Sequence, residues 1–203
     1  MDKIKVCSKQ FMDEHGRERI FYGINMGGKN LPLMKSYRDT FSIELLKNHL
    51  NSLHNSGFNV IRFFMNWSYL EPEPYKYNEE AFNDIQEFMD LCASENIYVY
   101  LDMHQDLYSA FTDIEKADLT ALHSNGAPVW ACVTNGKKFR TPKKIWAEGY
   151  FISKAVHNAF NNFWDNTAVY SMGLQDHFAD LWKLLAKRFG NHPALLGFDI
   201  FNE

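Results

Sequence analysis

The chain has 203 residues, of which 46% are apolar and 23% charged, the balance of a folded domain with one sizeable core. Its net charge is −4 and its basic runs stop at two residues (Lys137-Lys138, Lys143-Lys144), which disfavours nucleic-acid binding. Cys7, Cys92 and Cys132 are far apart, so they form neither a CxxC zinc pattern nor a disulfide framework, and no stretch is apolar for long enough to span a membrane.

Residues 9–24 read as a hairpin, with Asp13-Glu14-His15-Gly16 as its turn and Ile20-Phe21-Tyr22-Gly23-Ile24 as its second strand. A helix is predicted from Ser42, with Ile43, Leu46, Leu50 and Leu53 on one stripe and Gly57 ending it. Residues 59–64 form a short buried-strand pattern. Asn78 caps a second helix whose first turn holds Glu79 and Glu80 and whose inward stripe is Phe82, Ile85, Met89 and Cys92. A strand follows at 97–103, then a long connection over 104–153. Helical patterns resume at 154–164 and 174–189, where Phe178, Leu181, Leu185 and Phe189 share a face. Asn191-His192-Pro193 breaks the second, and an apolar strand spans 195–201.

Alternating strands and helices imply a parallel sheet with right-handed crossovers. The expected fold class is α/β: a (β/α)8 TIM barrel, of which residues 1–203 form the first four βα units of a single catalytic domain. A doubly wound sheet is the runner-up, but Asn25-Met26-Gly27-Gly28-Lys29 lacks the GxGxxG dinucleotide fingerprint.

Polar residues recur where strands end: Arg62 on the second, Asp102, His104 and Asp106 at and beyond the third, Asn202 and Glu203 at the fourth. In a parallel barrel these ends converge on the catalytic face. Each has a plainer reading: an ion-pair partner for Arg62, a cap or satisfied core group for His104 and Asp106, a strand-end charge for Glu203. Recurrence at three strand ends favours a site over three accidents. His104, Asp106 and Glu203 have spacing compatible with a metal, but no HExxH motif supports one, and no cofactor is expected.

Glycoside hydrolysis suits the residues better. It needs a protonated carboxyl at the glycosidic oxygen and, in retaining enzymes, a second carboxylate roughly 5–5.5 Å away. Asn202-Glu203 places a hydroxyl-reading amide beside an acid. No second carboxylate is evident, because Glu71 and Glu73 lie among prolines (Glu71-Pro72-Glu73-Pro74) and read as a stiff surface loop. Asn66-Trp67-Ser68 fits a glycosylation acceptor, a pattern common by chance.

The chain resembles glycoside hydrolase family 5, the cellulase-like retaining barrels, and within it the endoglycoceramidase branch. The matching stretches include Phe21-Tyr22-Gly23-Ile24-Asn25, Gly57-Phe58-Asn59-Val60-Ile61-Arg62, Leu101-Asp102-Met103-His104-Gln105-Asp106, Gly126-Ala127-Pro128-Val129-Trp130-Ala131 and Gly197-Phe198-Asp199-Ile200-Phe201-Asn202-Glu203. The resemblance implies Glu203 as general acid/base, Asn202 as holder of the adjacent sugar hydroxyl and Arg62 as buttress of the catalytic carboxylates. It implies sugar contacts for His104, Asp106 and Trp146, and more loosely for Lys29. It also implies a nucleophilic Glu ending a seventh strand, beyond the four strands here.

The expected activity is therefore a retaining β-glycosidase acting on a glycosphingolipid or another β-glucosyl lipid, with residues 1–203 inactive alone. The alternatives are an endo-β-glucanase or other polysaccharide hydrolase, a metal-dependent hydrolase and a non-catalytic carbohydrate-binding product. The expected partner is a carbohydrate or glycolipid, with peripheral membrane or micelle contact. The aromatic-rich segment 107–170 either lines an apolar tunnel or packs beneath a long loop. With no apolar signal segment near Met1, cytoplasmic is the default location, and secretion would require a lost signal.

Overall fold

The computed structural model describes residues 1–27, 33–112 and 125–202. Its centre is a four-stranded parallel sheet of β4 (Gly23–Met26), β5 (Val60–Met65), β6 (Tyr98–Met103) and β9 (Leu195–Asp199), ordered β4-β5-β6-β9. Each parallel pair joins strands in chain order, with no reversal. A doubly wound sheet reverses its order at a switch point, whereas this one-way order is that of part of a (β/α) barrel. A small antiparallel sheet precedes it: β1 (Ile4–Cys7), β2 (Gln10–Asp13) and β3 (Glu18–Arg19). Ring contacts from Phe11 to Phe21 and from Phe21 to Tyr98 place it beneath the N-terminal ends of the barrel strands.

The predicted hairpin therefore needs correction. Its second strand is only Glu18–Arg19, and Gly23-Ile24 already belongs to the parallel sheet. Asp13 forces the break: its buried carboxylate accepts the His15 and Arg17 backbone N–H groups and the Arg17 side chain, tightening the turn.

The helical predictions hold closely. α1 (Leu33–Asp39), which periodicity did not signal, precedes α2 (Ile43–Asn55), and the Ser42 hydroxyl caps α2 by accepting the Leu45 N–H. After β5 come the short α3 (Trp67–Leu70) and α4 (Glu79–Ser94), the latter capped by Asn78 as expected. The long connection contains α5 (Gly149–Ile152) before α6 (Lys154–Trp164). The hairpin β7 (Ala168–Val169) and β8 (Met172–Gly173) leads into α7 (Leu174–Phe189).

Outward residues of β5 and β6, Ile61, Phe63, Val99 and Leu101, pack on Leu46, Phe82, Phe88 and Leu181 from the helices, and Phe63 stacks on Phe88 at 4.5 Å. The opposite, inward face lines a cleft of about 500 Å³ bounded by Phe11, Phe21, Asn25, Arg62 and Tyr100. Gly27 closes β4 at φ +146°, where a side-chain Cβ would stand 2.8 Å from the Phe64 backbone, so only glycine fits.

Glu71 is the largest departure from expectation. It is not a surface-loop residue but fully buried, accepting the Trp67 indole N–H at 2.8 Å and the Tyr75 backbone N–H at 2.9 Å, with His177 Nδ1 at 3.5 Å. Burial pushes its carboxyl pKa up, against those three partners. Glu73 stays exposed and pairs with Lys76. Asn66 of the glycosylation pattern is buried, and its side chain caps α3. Glu71→Ala should cost roughly 3 kcal/mol in urea denaturation, because it strands a buried histidine and two N–H groups. Glu73→Ala should cost less than about 0.5 kcal/mol.

Candidate active site

Side chains alternate along a strand, so Arg62 and Phe64 of β5, Asp102 of β6 and Asp199 of β9 share the inward face, with Phe64, Asp102 and Asp199 level in register. One nitrogen of Arg62 ties three segments together. Nη2 donates to Asp199 Oδ2 at 3.0 Å and to Asn202 Oδ1 at 2.7 Å, and lies 3.1 Å from Asp102 Oδ2. Its guanidinium carbon also sits 5.3 Å from the Phe64 ring centroid. Arg62 is thus an ion-pair partner and a candidate-site residue at once.

Asp102 is fully buried, and its Oδ2 also meets His104 Nδ1 at 2.8 Å. Burial raises its pKa, while His104 and Arg62 pull it back. His104 stacks on Phe64 at 4.1 Å and turns Nε2 toward Asp106 Oδ2 at 3.4 Å, a charge contact too long for a strong hydrogen bond. Burial opposes protonation of His104, but the flanking carboxylates Asp102 and Asp106 outweigh it and hold the pKa above the usual histidine value. With a carboxylate beside each nitrogen, His104 is held between Asp102 and Asp106. Asp106 is anchored in turn by Asn125, whose Nδ2 donates to Oδ2 at 2.8 Å while the two backbones bridge.

Asn202 and Gln105 clamp each other. Gln105 Nε2 donates to the Asn202 carbonyl at 2.6 Å, and Asn202 Nδ2 donates to the Gln105 carbonyl at 2.9 Å. That Asn202 carbonyl begins the peptide bond to Glu203. Gln105 Oε1 also accepts the Tyr108 N–H, steadying Leu107 and Tyr108 in the left-handed region at φ +57° and +69°. Such residues cost roughly 1–3 kcal/mol each and persist only where their surroundings hold them. Gly126 permits the close fit, since a Cβ there would be 2.5 Å from the Tyr108 carbonyl oxygen.

The structure therefore brings Arg62, His104, Asp106 and Asn202 together. Trp146 joins less directly: its ring lies 6.2 Å from Tyr150, whose hydroxyl accepts the Leu107 N–H. Glu203 and Lys29 lie outside the described residues. Gln105, Asn125, Phe64 and Asp199 were not singled out as site residues from sequence. Position beside a strand end was the only signal for Gln105 and Asp199, and Asn125 had none. Among the 107–170 aromatics, Tyr108 and Phe163 pack inside, whereas Phe151 and Trp164 are exposed.

A match to the cellulase family, glycosyl hydrolase family 5, extends over residues 12–203. The chain belongs to glycosyl hydrolase family 5. Among similar proteins, an endoglycoceramidase of Cyanea nozakii is 31% identical over 97% of this chain and 40% of its own length. The crystal structure of an endogalactoceramidase superposes with a TM-score of 0.81 at 28% identity, covering 100% of this chain and 44% of that one. The lactosyl-enzyme intermediate of endo-glycoceramidase II from Rhodococcus sp. gives 0.75 at 29% identity, covering 94% and 42%. The chain thus spans about two fifths of the length of the relatives it matches.

The His104 arrangement sets a titration test. Its protonated form should contribute stability that is complete below the ordinary histidine pKa of about 6.5 and is lost as pH rises through the raised folded value. Imidazole NMR should find the His104 midpoint above the ordinary value, and Asp106→Asn should move it down. A midpoint unmoved by that change would deny Asp106 its part.

Proposed function

We propose that the chain forms the acid/base side of a retaining β-glycosidase that cleaves a glycosphingolipid or related β-glucosyl lipid in the manner of an endoglycoceramidase. The carrying observation is the network of Arg62, Asp102, His104 and Asp199 around Asn202, the residue that precedes Glu203.

In this reading Glu203 protonates the departing glycosidic oxygen and then deprotonates the incoming water. The Asn202 amide oxygen is taken by Arg62 and one amide hydrogen by the Gln105 carbonyl. The second hydrogen remains for the sugar hydroxyl beside the reacting carbon, where a hydrogen bond strengthens as charge develops. Gln105 fixes the Asn202 carbonyl, and with it the backbone at the end of the strand, before substrate arrives. His104 and Asp106 offer a donor and an acceptor to neighbouring hydroxyls, and Trp146 offers a ring face to the sugar. Lys29 is assigned a glycan hydroxyl by resemblance alone. The lipid substrate is favoured over a polysaccharide by the names of the similar proteins, endoglycoceramidase and endogalactoceramidase.

A retaining reaction needs two carboxylates, and here the nucleophile is assigned to a Glu ending a later strand of the barrel. Residues 1–203 alone should therefore leave fluorescent glucosylceramide intact. The chain continued through such a strand should hydrolyse it, with Glu203→Gln lowering kcat by about 10²–10⁴-fold. Turnover by residues 1–203 that Glu203→Gln abolishes would overturn the assignment.

A further inference from the structure

The connection between β6 and α6 builds a lobe beside the site. Two hydrogen bonds close its neck: Asn158 Nδ2 donates to the Thr134 carbonyl at 2.9 Å, and the Arg140 N–H donates to Ser153 Oγ at 3.2 Å. Between 137 and 154 the lobe carries Lys137, Lys138, Arg140, Lys143, Lys144 and Lys154 against a single acid, Glu148, in a chain whose net charge is −4. All six cationic residues are exposed. Among them stand Ile145, Trp146 and Phe151, exposed by 63%, 36% and 81%.

A single exposed apolar residue needs no explanation. Three within seven positions, framed by six cations, form a composite surface. A polyanion such as RNA would engage the cations but offers no apolar phase to Ile145 and Phe151. A neutral apolar partner would make no use of the excess of exposed cations over acids. An anionic bilayer satisfies both, with headgroup phosphates for Lys and Arg and the acyl boundary for the apolar side chains.

We infer that residues 137–154 form a docking surface for an anionic phospholipid bilayer, with Ile145 and Phe151 entering the headgroup boundary and Trp146 standing between them and the site. The surface stands on its own observations. Only its use, presenting the site to a glycolipid held in that bilayer, rests on the glycosidase reading. Trp146 and Tyr150 link the lobe to Leu107, next to Asp106, so docking sets the site against the membrane plane.

Co-sedimentation of the chain with glycolipid-free vesicles tests this. It should bind phosphatidylcholine vesicles containing about 30% phosphatidylserine and not phosphatidylcholine alone, and added salt should weaken binding. K143Q/K144Q should weaken partitioning roughly 30-fold and Phe151→Ser about tenfold. K76Q/K183Q, which removes two exposed cations paired elsewhere to Glu73 and Asp180, should change it less than about twofold. The proposal is overturned by no binding, by equal binding to both vesicles, or by K76Q/K183Q weakening it as much as K143Q/K144Q. It is also overturned if tRNA displaces the vesicles while Phe151→Ser binds normally, which would mark a generic polyanion patch. Because the vesicles hold no glycolipid, these outcomes are independent of hydrolysis, which a detergent-dispersed glycolipid assay of the extended enzyme reports separately.

Discussion

The arrangement of the site depends on one guanidinium. Arg62 projects from β5 between β6 and β9 and holds Asp102, Asp199 and Asn202 through a single nitrogen. Asp102 is fully buried, and such a carboxylate is tolerated only where opposite charge and hydrogen bonds replace its lost hydration. Without Arg62, two inward carboxylates would face each other across adjacent strands, level in register. The same contact that offsets their repulsion sets the position of Asn202, and through it the start of the peptide bond to Glu203.

From Arg62 the order propagates outward by contact. Asp102 orients His104, His104 faces Asp106, and Asp106 is held by Asn125. Beside Asn125, the Gly126 carbonyl accepts the Ser68 N–H, and Ser68 follows Trp67, whose indole is fixed by buried Glu71. The polar site on the inward face and the buried Glu71–His177 pair near the helices are thus joined by short, specific links. A (β/α) sheet supplies strand ends at a common level, but these side-chain links decide where the functional groups point.

Much of the frame was legible in the sequence because it rests on local physics. Ser42 and Asn78 are caps whose action needs only their own helices, and the stripes of α2, α4 and α7 bury as their periodicity predicts. Arg62, His104, Asp106 and Asn202 were legible because strand ends converge. Their partners were not, since Asn125 reaches Asp106 from a connection with no periodic pattern. Glu71 is illegible for a similar reason: an acid beside a proline-rich turn is usually solvated, and the distant His177, the Trp67 indole and the Tyr75 N–H make its burial tolerable. The basic lobe is not legible in the sequence because its charges come as two pairs and two single residues, which the closed neck gathers together.

The central claim is that Arg62 and the two inward acids form one coupled unit. A double-mutant cycle of Arg62→Met and Asp102→Asn, read by urea denaturation of the chain, tests it most directly. Arg62→Met alone should cost about 3–5 kcal/mol by leaving buried charge unpaired, and Asp102→Asn should recover about 2 kcal/mol of that loss. Additive effects, within about 0.5 kcal/mol, would contradict the account.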